Sequence, residues 1–212
     1  MRNGTEIEIN ITLIRHGATD SNKAHRYLGQ TEEGLSMEGV EELQYERQRG
    51  TYPNNKIIFS SPMLRCIQTV SVIYPEQHFI VIPQWREIDF GRFEGKHYKE
   101  LEVDIEYQVW LDSNGTLPFP GGESREAFIE RTNSGFDKVL FYLTEHVKDH
   151  KYNISAIVHG GTIMALLSTW EQGAYFDYQV KNAKGFECRL LCQRKNHHEQ
   201  IKINVLELRR LE

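Results

Sequence analysis

The chain has 212 residues, enough for one domain with a sizeable hydrophobic core, and its 39% hydrophobic and 26% charged residues are ordinary for a globular protein. Its formal net charge of -5 at pH 7 argues against nucleic-acid binding driven by overall charge. No run approaches the roughly 20 apolar residues that span a bilayer, and the N-terminus lacks the apolar core of a signal peptide. We therefore expect a cytoplasmic protein that binds neither nucleic acid nor a membrane.

Strand and helix patterns alternate from the start of the chain. The apolar run Ile7–Ile14 predicts a buried strand, and Gly17 lets the chain turn sharply after it. Ser36 is placed to cap a helix that runs to about Arg49, where Gly50 ends it.

Two more strands and a helix follow. The short apolar run Ile57–Phe59 is typical of an interior strand, and Ser61–Pro62 is predicted to supply the N-cap and first residue of a helix to about Ile73. Phe79–Ile82 predicts a third strand, which Pro83 ends.

A more polar insertion comes next, bracketed by glycine and proline residues, and we predict that it forms a lid over about residues 96–122. Four apolar residues in it are spaced to line one face of a short helix, namely Tyr98, Leu101, Ile105 and Trp110. Ser124 then caps a long helix whose apolar residues recur at helical spacing from Phe128 to Val147.

The C-terminal part adds a fourth core strand, Ile154–Val158, which leads through His159–Gly161 into a helix ending near Trp170. Alternation over Phe186–Cys192 predicts a half-exposed strand, and the apolar residues of 201–206 are expected to pair with it as a hairpin. The element order predicts an α/β fold: a three-layer α/β/α sandwich around a mostly parallel sheet with an antiparallel edge strand.

The three cysteines do not form a disulfide pattern. Cys188 and Cys192 lie four residues apart in one predicted strand, which separates them by roughly 13 Å, too far for a bridge. Cys66 lies alone in a helical pattern. We expect three buried, reduced thiols.

Polar or charged residues follow each of the four core strands. Arg15-His16 follows the first strand, Ser60–Ser61 and then Arg65 the second, Glu87 the third, and His159–Gly161 the fourth. Each residue alone is ordinary, as a surface charge, a loop acid or a core histidine. Because ligands bind at the carboxyl ends of parallel strands, their joint placement predicts one anion-binding site at that edge of the sheet.

Five segments carry motifs in a fixed order along the chain: Leu13–Asn22, Ser60–Thr69, Arg86–Gly95, Pro120–Ser124 and Val158–Gly161. This set resembles the signature of the histidine phosphatase superfamily, also called phosphoglycerate-mutase-like, over about residues 11–167. The resemblance implies a single histidine phosphatase domain over residues 1–212, with a phosphoglycerate-mutase-like fold.

The resemblance implies that His16 is the nucleophile and forms a phosphohistidine. An imidazole attacks phosphorus only when it is neutral, and its ordinary pKa of about 6.5 leaves it marginal at neutral pH. Arg15 and Arg65 disfavour a further positive charge, so we expect them to keep free His16 neutral while they bind the phosphate dianion. By the same resemblance, both arginines and His159 clamp the phosphoryl oxygens, and the Gly160 amide adds a donor.

The resemblance assigns Glu87 as the general acid that protonates the leaving alkoxide and later as the base that activates water. A carboxyl with an ordinary pKa of about 4.3 is mostly ionised at neutral pH, so this role needs burial or a proton shared with the substrate. Asn22 matches a position that contacts phosphate. Thr19, Gly29 and Gln30 are further substrate-binding candidates on the loop that follows.

No metal or other cofactor is expected, because the nine histidines show no H-x-H or HExxH spacing and His197-His198 lies in a polar turn. The expected partner is a small-molecule phosphate monoester. The sequence does not fix the oligomeric state, and a homodimer stays open.

The composition of the insertion bears on the substrate. Between Lys99 and Arg125 it has no basic residue, but it carries Glu100, Glu102, Asp104, Glu106 and Asp112. We expect an acidic lid to disfavour a second anionic group, which favours a phosphatase whose substrate has a neutral or weakly cationic body.

The segments Arg86–Gly95 and Pro120–Ser124 look most similar to those of the α-ribazole phosphatase branch. Tyr98, Tyr107 and Trp110 are placed either to stack on a flat base or to form the lid core. We therefore expect α-ribazole 5'-phosphate as the substrate.

Two other functions stay open. One is a phosphoglycerate mutase or sugar-(bis)phosphatase of the same superfamily, which phosphoryl exchange between glycerate positions would reveal. The other is a catalytically silent phospho-ligand binder that regulates a partner, although the presence of both histidines, both arginines and Glu87 argues against silence.

Overall fold

The computed structural model describes residues 5–147, 151–194 and 201–211. The first half of the chain forms β1 (Thr5–Arg15), α1 (Asp20–Lys23), α2 (Met37–Gln48), β2 (Ile57–Ser60), α3 (Leu64–Ile73), β3 (Ile80–Val81), α4 (Tyr98–Leu101) and α5 (Ile105–Asp112). The second half forms α6 (Arg125–His146), β4 (Lys151–Val158), α7 (Gly160–Glu171), β5 (Gly185–Arg194) and β6 (Lys202–Leu211). Short 3₁₀ helices lie at Pro83–Trp85, Gly91–Phe93 and Tyr175–Tyr178.

The strands form one sheet in the order β3-β2-β4-β1-β5-β6. The pairs β1–β4, β4–β2 and β2–β3 are parallel, whereas β5 is antiparallel to both β1 and β6. The prediction of a mostly parallel sheet with an antiparallel edge is therefore confirmed. No helix in the described ranges is long and apolar enough to cross a bilayer.

Alternating side chains along the strands divide the core into two layers. On one face, Leu13 and its neighbours pack against α6 and α7 through residues such as Phe136 and Leu166. On the other face, Ile14 packs with Leu43 of α2 and with α3. Helices therefore cover both faces, and the three-layer α/β/α prediction is confirmed.

Two capping predictions have opposite outcomes. Ser36 caps α2 as predicted, with its side chain accepting from the Gly39 N–H. The prediction that Ser61–Pro62 begins α3 is wrong, because α3 begins at Leu64 with Met63 as its N-cap. The Ser61 hydroxyl instead contacts the His159 ring, at 2.7 Å.

The third strand and the insertion differ from the expected elements. β3 contains two residues because the Ile82 carbonyl accepts from the Trp85 N–H (3.0 Å) and starts a 3₁₀ turn. In the insertion, Asp104 caps α5 and separates it from α4. The predicted single apolar face is therefore wrong: Leu101 is buried, but Ile105 is 80% exposed.

The C-terminal hairpin forms as predicted. Along β5, Cys188 and Leu190 are buried whereas Glu187 and Arg189 are exposed. On β6, the register shifts opposite Arg189, which leaves Leu206 without a cross-strand partner. The polar turn with His197-His198 lies outside the described residues. All three cysteines are buried free thiols, as expected.

The central position of β1 predicts a stability difference between two leucines. Leu13→Ala should lower the free energy of unfolding by about 2–5 kcal/mol, because Leu13 is fully buried between the sheet and α6–α7. Leu206→Ala should change it by no more than about 0.5 kcal/mol, because that side chain is 47% exposed in the bulge. Urea unfolding followed by circular dichroism measures both, and equal losses would contradict this account of the core.

Candidate active site

The carboxyl ends of β1, β4 and β2 bring two histidines together. Arg15 is level with Val158 in the parallel register, and the His16 N–H donates to the Val158 carbonyl, at 2.9 Å. The residues that follow these strands, His16 and His159, therefore lie side by side. Their ring centroids are 5.2 Å apart, in an edge-to-face arrangement.

The His16 ring is oriented by its own loop. Its Nδ1 lies 2.7 Å from the Gly17 carbonyl oxygen, which can only accept a hydrogen bond. Nδ1 therefore carries the proton of the neutral ring, and Nε2 keeps its lone pair. Burial, followed by the charges of Arg65 and Arg15, holds the pKa of His16 well below 6.5. The ring is thus neutral near pH 7, the state that attack on phosphorus requires.

Gly17 has a different structural role from the one expected. It does not adopt the left-handed backbone conformation that would explain a sharp turn. A Cβ there would instead lie 2.6 Å from a methyl carbon of Leu43. The glycine is needed for close packing of the loop on α2.

Loop carbonyls hold the two arginines. Arg65 is fully buried and donates to the carbonyls of Thr31 (3.0 Å) and Gly29 (2.8 Å). Arg15 donates to the Val180 carbonyl, at 2.8 Å. The Nε–H groups of both arginines are buried and have no protein acceptor in the described parts of the chain. Since buried donors are almost always paired, two such groups at one site indicate that an acceptor from outside the chain binds there.

The second histidine is held by Ser61, a residue that the sequence placed at the strand end but not in the site. His159 Nε2 lies 2.7 Å from Ser61 Oγ, and both residues are fully buried. Ser61 Oγ also accepts from the Met63 N–H (3.3 Å), so its own hydrogen is available to Nε2. Burial and the charge of Arg65 keep the pKa of His159 well below 6.5. If Ser61 donates to Nε2, the neutral His159 ring carries its proton on Nδ1 and can donate it.

Glu87 reaches the same site from the segment after β3. Its Oε1 accepts from the Ile88 N–H (2.9 Å) and its Oε2 from the Gly161 N–H (3.4 Å). Burial raises the pKa of Glu87, which outweighs the opposing effect of these amides and the two arginines. A Cβ on Gly161 would lie 2.4 Å from the carboxylate, so a larger residue there would displace the Glu87 side chain. The carboxyl has the burial that a general acid needs.

Asn22 and Gly160 line the main cavity, together with Arg15 and Glu87. Asn22 Oδ1 accepts from the Thr19 N–H (3.3 Å) and from Asn182 (3.0 Å). Both contacts use the oxygen, so the amide NH₂ is the group left to donate to a substrate.

The described residues that line the cavity include none of Thr19, Gly29 and Gln30. They also do not include His16, Arg65 and His159, which are buried. Thr19 is fully buried and caps α1. Gly29 supplies a carbonyl to Arg65. Gln30 donates to the Glu87 backbone carbonyl and accepts from Arg86. Through these contacts Gly29 positions Arg65 and Gln30 positions the backbone at Glu87.

Sequence reasoning missed the segment Gln179–Lys184, which forms one wall of the site. Besides the Val180 carbonyl that holds Arg15, Asn182 donates to the His16 carbonyl, at 3.0 Å. The sequence shows only a turn-like stretch before the predicted hairpin. The position of this stretch beside β1 could not be predicted, because it depends on the antiparallel pairing of β5 with β1.

The main cavity has a volume of about 1090 Å³, far more than a phosphate group needs. Its aromatic lining comes from Tyr27, Phe90 and Tyr98. Tyr107 and Trp110 instead pack with Phe93 and Phe119 in the core of the insertion, which was one of the two expected arrangements.

The acidic residues of the insertion do not line this cavity, so the argument for an acidic lid over the substrate is wrong. Glu100 accepts two hydrogen bonds from Arg26, at 2.9 and 3.0 Å. Glu106 pairs with Arg92. The segment is rich in acidic residues, but Glu100 and Glu106 are neutralised by these arginines.

Comparison with known proteins identifies the family. A sequence model of the histidine phosphatase superfamily, branch 1, matches residues 11–191. The chain therefore belongs to this superfamily of phosphatases.

Relatives include the metal-independent phosphoserine phosphatase of Arabidopsis thaliana, 29% identical over 166 residues that cover 74% of this chain and 66% of that protein. The adenosylcobalamin/α-ribazole phosphatase of Escherichia coli is 27% identical over 161 residues, or 74% of this chain and 76% of that protein. The crystal structure of the α-ribazole phosphatase from Shigella flexneri superposes with a TM-score of 0.69 at 22% identity, covering 93% of this chain and 95% of that one.

The contact between Ser61 and His159 yields a kinetic prediction. Ser61→Ala should lower kcat at least about tenfold, because the loss of one hydrogen bond frees the His159 proton to move to Nε2. Nitrogen-15 NMR of the imidazole should show the change of tautomer directly. Ser61→Thr, which keeps the hydroxyl, should restore both properties.

Ser60→Ala is the matched control, because Ser60 is equally buried but donates to the Ser61 backbone carbonyl. Unchanged kinetics and an unchanged His159 tautomer in Ser61→Ala would contradict the proposed role of the hydroxyl.

Proposed function

We propose that this protein hydrolyses small phosphate monoesters through a phosphohistidine at His16, without a metal. The observation that carries the proposal is the pair of buried, unpartnered Nε–H donors of Arg15 and Arg65 beside a neutral imidazole. This arrangement supplies fixed positive charge for the phosphoryl oxygens and an uncharged nucleophile for phosphorus. Phosphoryl transfer needs little more from a protein than such positioning and charge stabilisation.

The reaction follows from the orientation of the groups. His16 Nε2 bonds to phosphorus while the ester P–O bond breaks, and Glu87 gives its proton to the departing oxygen. Glu87, now a carboxylate, takes a proton from water, which attacks the phosphohistidine and releases inorganic phosphate. Arg15, Arg65, His159 Nδ1–H and the Gly160 amide stabilise the equatorial oxygens in both steps.

The specific substrate is a finer question. α-Ribazole 5'-phosphate is supported by the motif resemblance and by Tyr98, which lines the cavity with its ring 45% exposed. The two other aromatic residues that favoured a flat base lie in the core of the insertion. We propose that the insertion over about 96–122 covers one side of the cavity through Tyr98.

The alternative functions differ in what happens to the phosphohistidine. A mutase returns the phosphoryl group to a second hydroxyl, whereas a phosphatase transfers it to water. The presence of a buried Glu87 within the field of Arg15 and Arg65 favours turnover over silent binding.

The covalent step has a direct test. Wild-type protein mixed with a ³²P-labelled monoester and quenched in base should retain acid-labile label, and His16→Ala should retain none and lose hydrolysis. His78→Ala, which removes an exposed histidine away from the cavity, should behave like wild type. Full hydrolysis by His16→Ala would rule out the proposed nucleophile.

The proton donor has a test based on the leaving group. Glu87→Gln should lower kcat/KM for an alkyl phosphate by about 10²–10⁴-fold, because alkoxide is a poor leaving group without a proton. For p-nitrophenyl phosphate, whose leaving group needs no proton, the loss should stay within about tenfold. Equal losses for both esters would show that Glu87 is not the general acid.

A further inference from the structure

The cavity mouth is basic although the whole chain is acidic. The net charge is -5, yet four cationic side chains besides Arg15 line the cavity: Arg26, Lys181, Lys184 and Arg210. Glu87 is the one carboxylate among the described lining residues. A local excess of positive charge against the overall balance indicates an anionic ligand.

Two of these four cations are already neutralised by carboxylates outside the cavity. Arg26 forms its two-pronged contact with Glu100, and Lys184 lies 3.0 Å from Glu46. Lys181 and Arg210 have no carboxylate partner in the described ranges. These two side chains are therefore the charges at the mouth that remain available to a ligand.

Both side chains belong to the wall that holds the catalytic groups. Lys181 lies between Val180, whose carbonyl binds Arg15, and Asn182, which binds His16 and Asn22. The backbone of this segment is hydrogen-bonded to residues of β1 and the loop after it. The Lys181 side chain therefore starts from a fixed position beside Arg15, the proposed phosphate-binding residue.

Arg210 is held by two contacts. Its guanidinium carbon lies over the Phe186 ring, 5.0 Å from the centroid, and it donates to the Gln179 carbonyl, at 3.1 Å. A cation placed on an aromatic face and a carbonyl loses less freedom when it binds an anion than an unrestrained surface arginine does.

We propose that Lys181 and Arg210 form a second anion subsite, so that the substrate is a phosphate monoester whose body carries a further carboxylate or phosphate. This inference rests on the proposed function, because it places the first phosphate at Arg15 and Arg65. The cavity of about 1090 Å³ has room for such a body between the two sites. The proposal replaces the expectation of a neutral or weakly cationic body, which depended on an acidic lid. It therefore disfavours α-ribazole 5'-phosphate, which carries no second anionic group.

The test uses matched ligands and a protein that cannot turn them over. Calorimetry on His16→Ala compares the Kd of O-phosphoserine with that of O-phosphoethanolamine, which differs by the carboxylate alone. A second pair, 1,3-propanediol bisphosphate and its monophosphate, tests a second phosphate. At least one pair should favour the ligand with two anionic groups by about tenfold, the effect of one charge-assisted contact. The pair that does so identifies the anion.

Variants assign the preference to these residues. In the His16→Ala background, Lys181→Gln with Arg210→Gln should reduce the Kd ratio to about one. Lys181→Gln alone should reduce it in part, and among the described residues the Lys181 side chain has no hydrogen bond or ion pair to lose. Arg209→Gln is the control, since Arg209 lies next along β6, pairs with Glu207 and does not line this cavity.

Two results would overturn the subsite: equal Kd values within both ligand pairs, or a preference that survives the double variant. Either result leaves the proposed function intact, because the label on His16 is measured separately in wild-type protein. Conversely, a roughly tenfold preference for the ligand with two anionic groups, lost in the double variant, together with no label on His16 in wild-type protein, would support the subsite and contradict the phosphohistidine.

Discussion

The site depends on one constraint, the burial of the Arg65 guanidinium and of the Arg15 Nε–H beside an uncharged imidazole. Buried charge is costly unless it is paired, yet a carboxylate for each arginine would cancel the field that keeps His16 neutral. The chain resolves this by giving Arg65 the carbonyls of Gly29 and Thr31 and Arg15 the carbonyl of Val180. Neutral acceptors hold the charges without cancelling them, and in the proposed function a phosphate dianion supplies the missing counter-charge. The backbone conformation of the segments around Gly29 and Val180 therefore matters for the site, because their carbonyls position the two arginines, although these segments contribute no catalytic side chain.

The sequence predicted the parts of the structure that depend on local pattern. The strand near Ile57–Phe59 and the cap at Ser36 follow from apolar runs and capping chemistry, and the strand-end residues of the site follow from the parallel order. Features that depend on tertiary contacts were missed. Ser61 was expected to cap a helix, but a buried imidazole competes for its hydroxyl. The wall of the site at Asn182 depends on pairing between β1 and β5, which are far apart along the chain.

The insertion shows why composition alone misleads about a ligand. Its acidic residues were real, but Glu100 and Glu106 have arginine partners and do not face the cavity. Two cations that line it without a carboxylate partner among the described residues, Lys181 and Arg210, lie in or just before the C-terminal hairpin. The charge that a ligand meets in a pocket is set by the side chains that line it. In this protein those side chains come from segments far apart in the sequence, so the composition of one segment does not predict the charge of the pocket.

The central claim is that His16 is neutral in the free protein because burial and two arginines disfavour its charge. A nitrogen-15 NMR titration of the His16 imidazole tests this most directly. The account predicts a ring protonated on Nδ1 alone at pH 6.5, with a pKa below 6.5 that rises in Arg65→Gln. A ring that is half or more doubly protonated at pH 6.5 would contradict it.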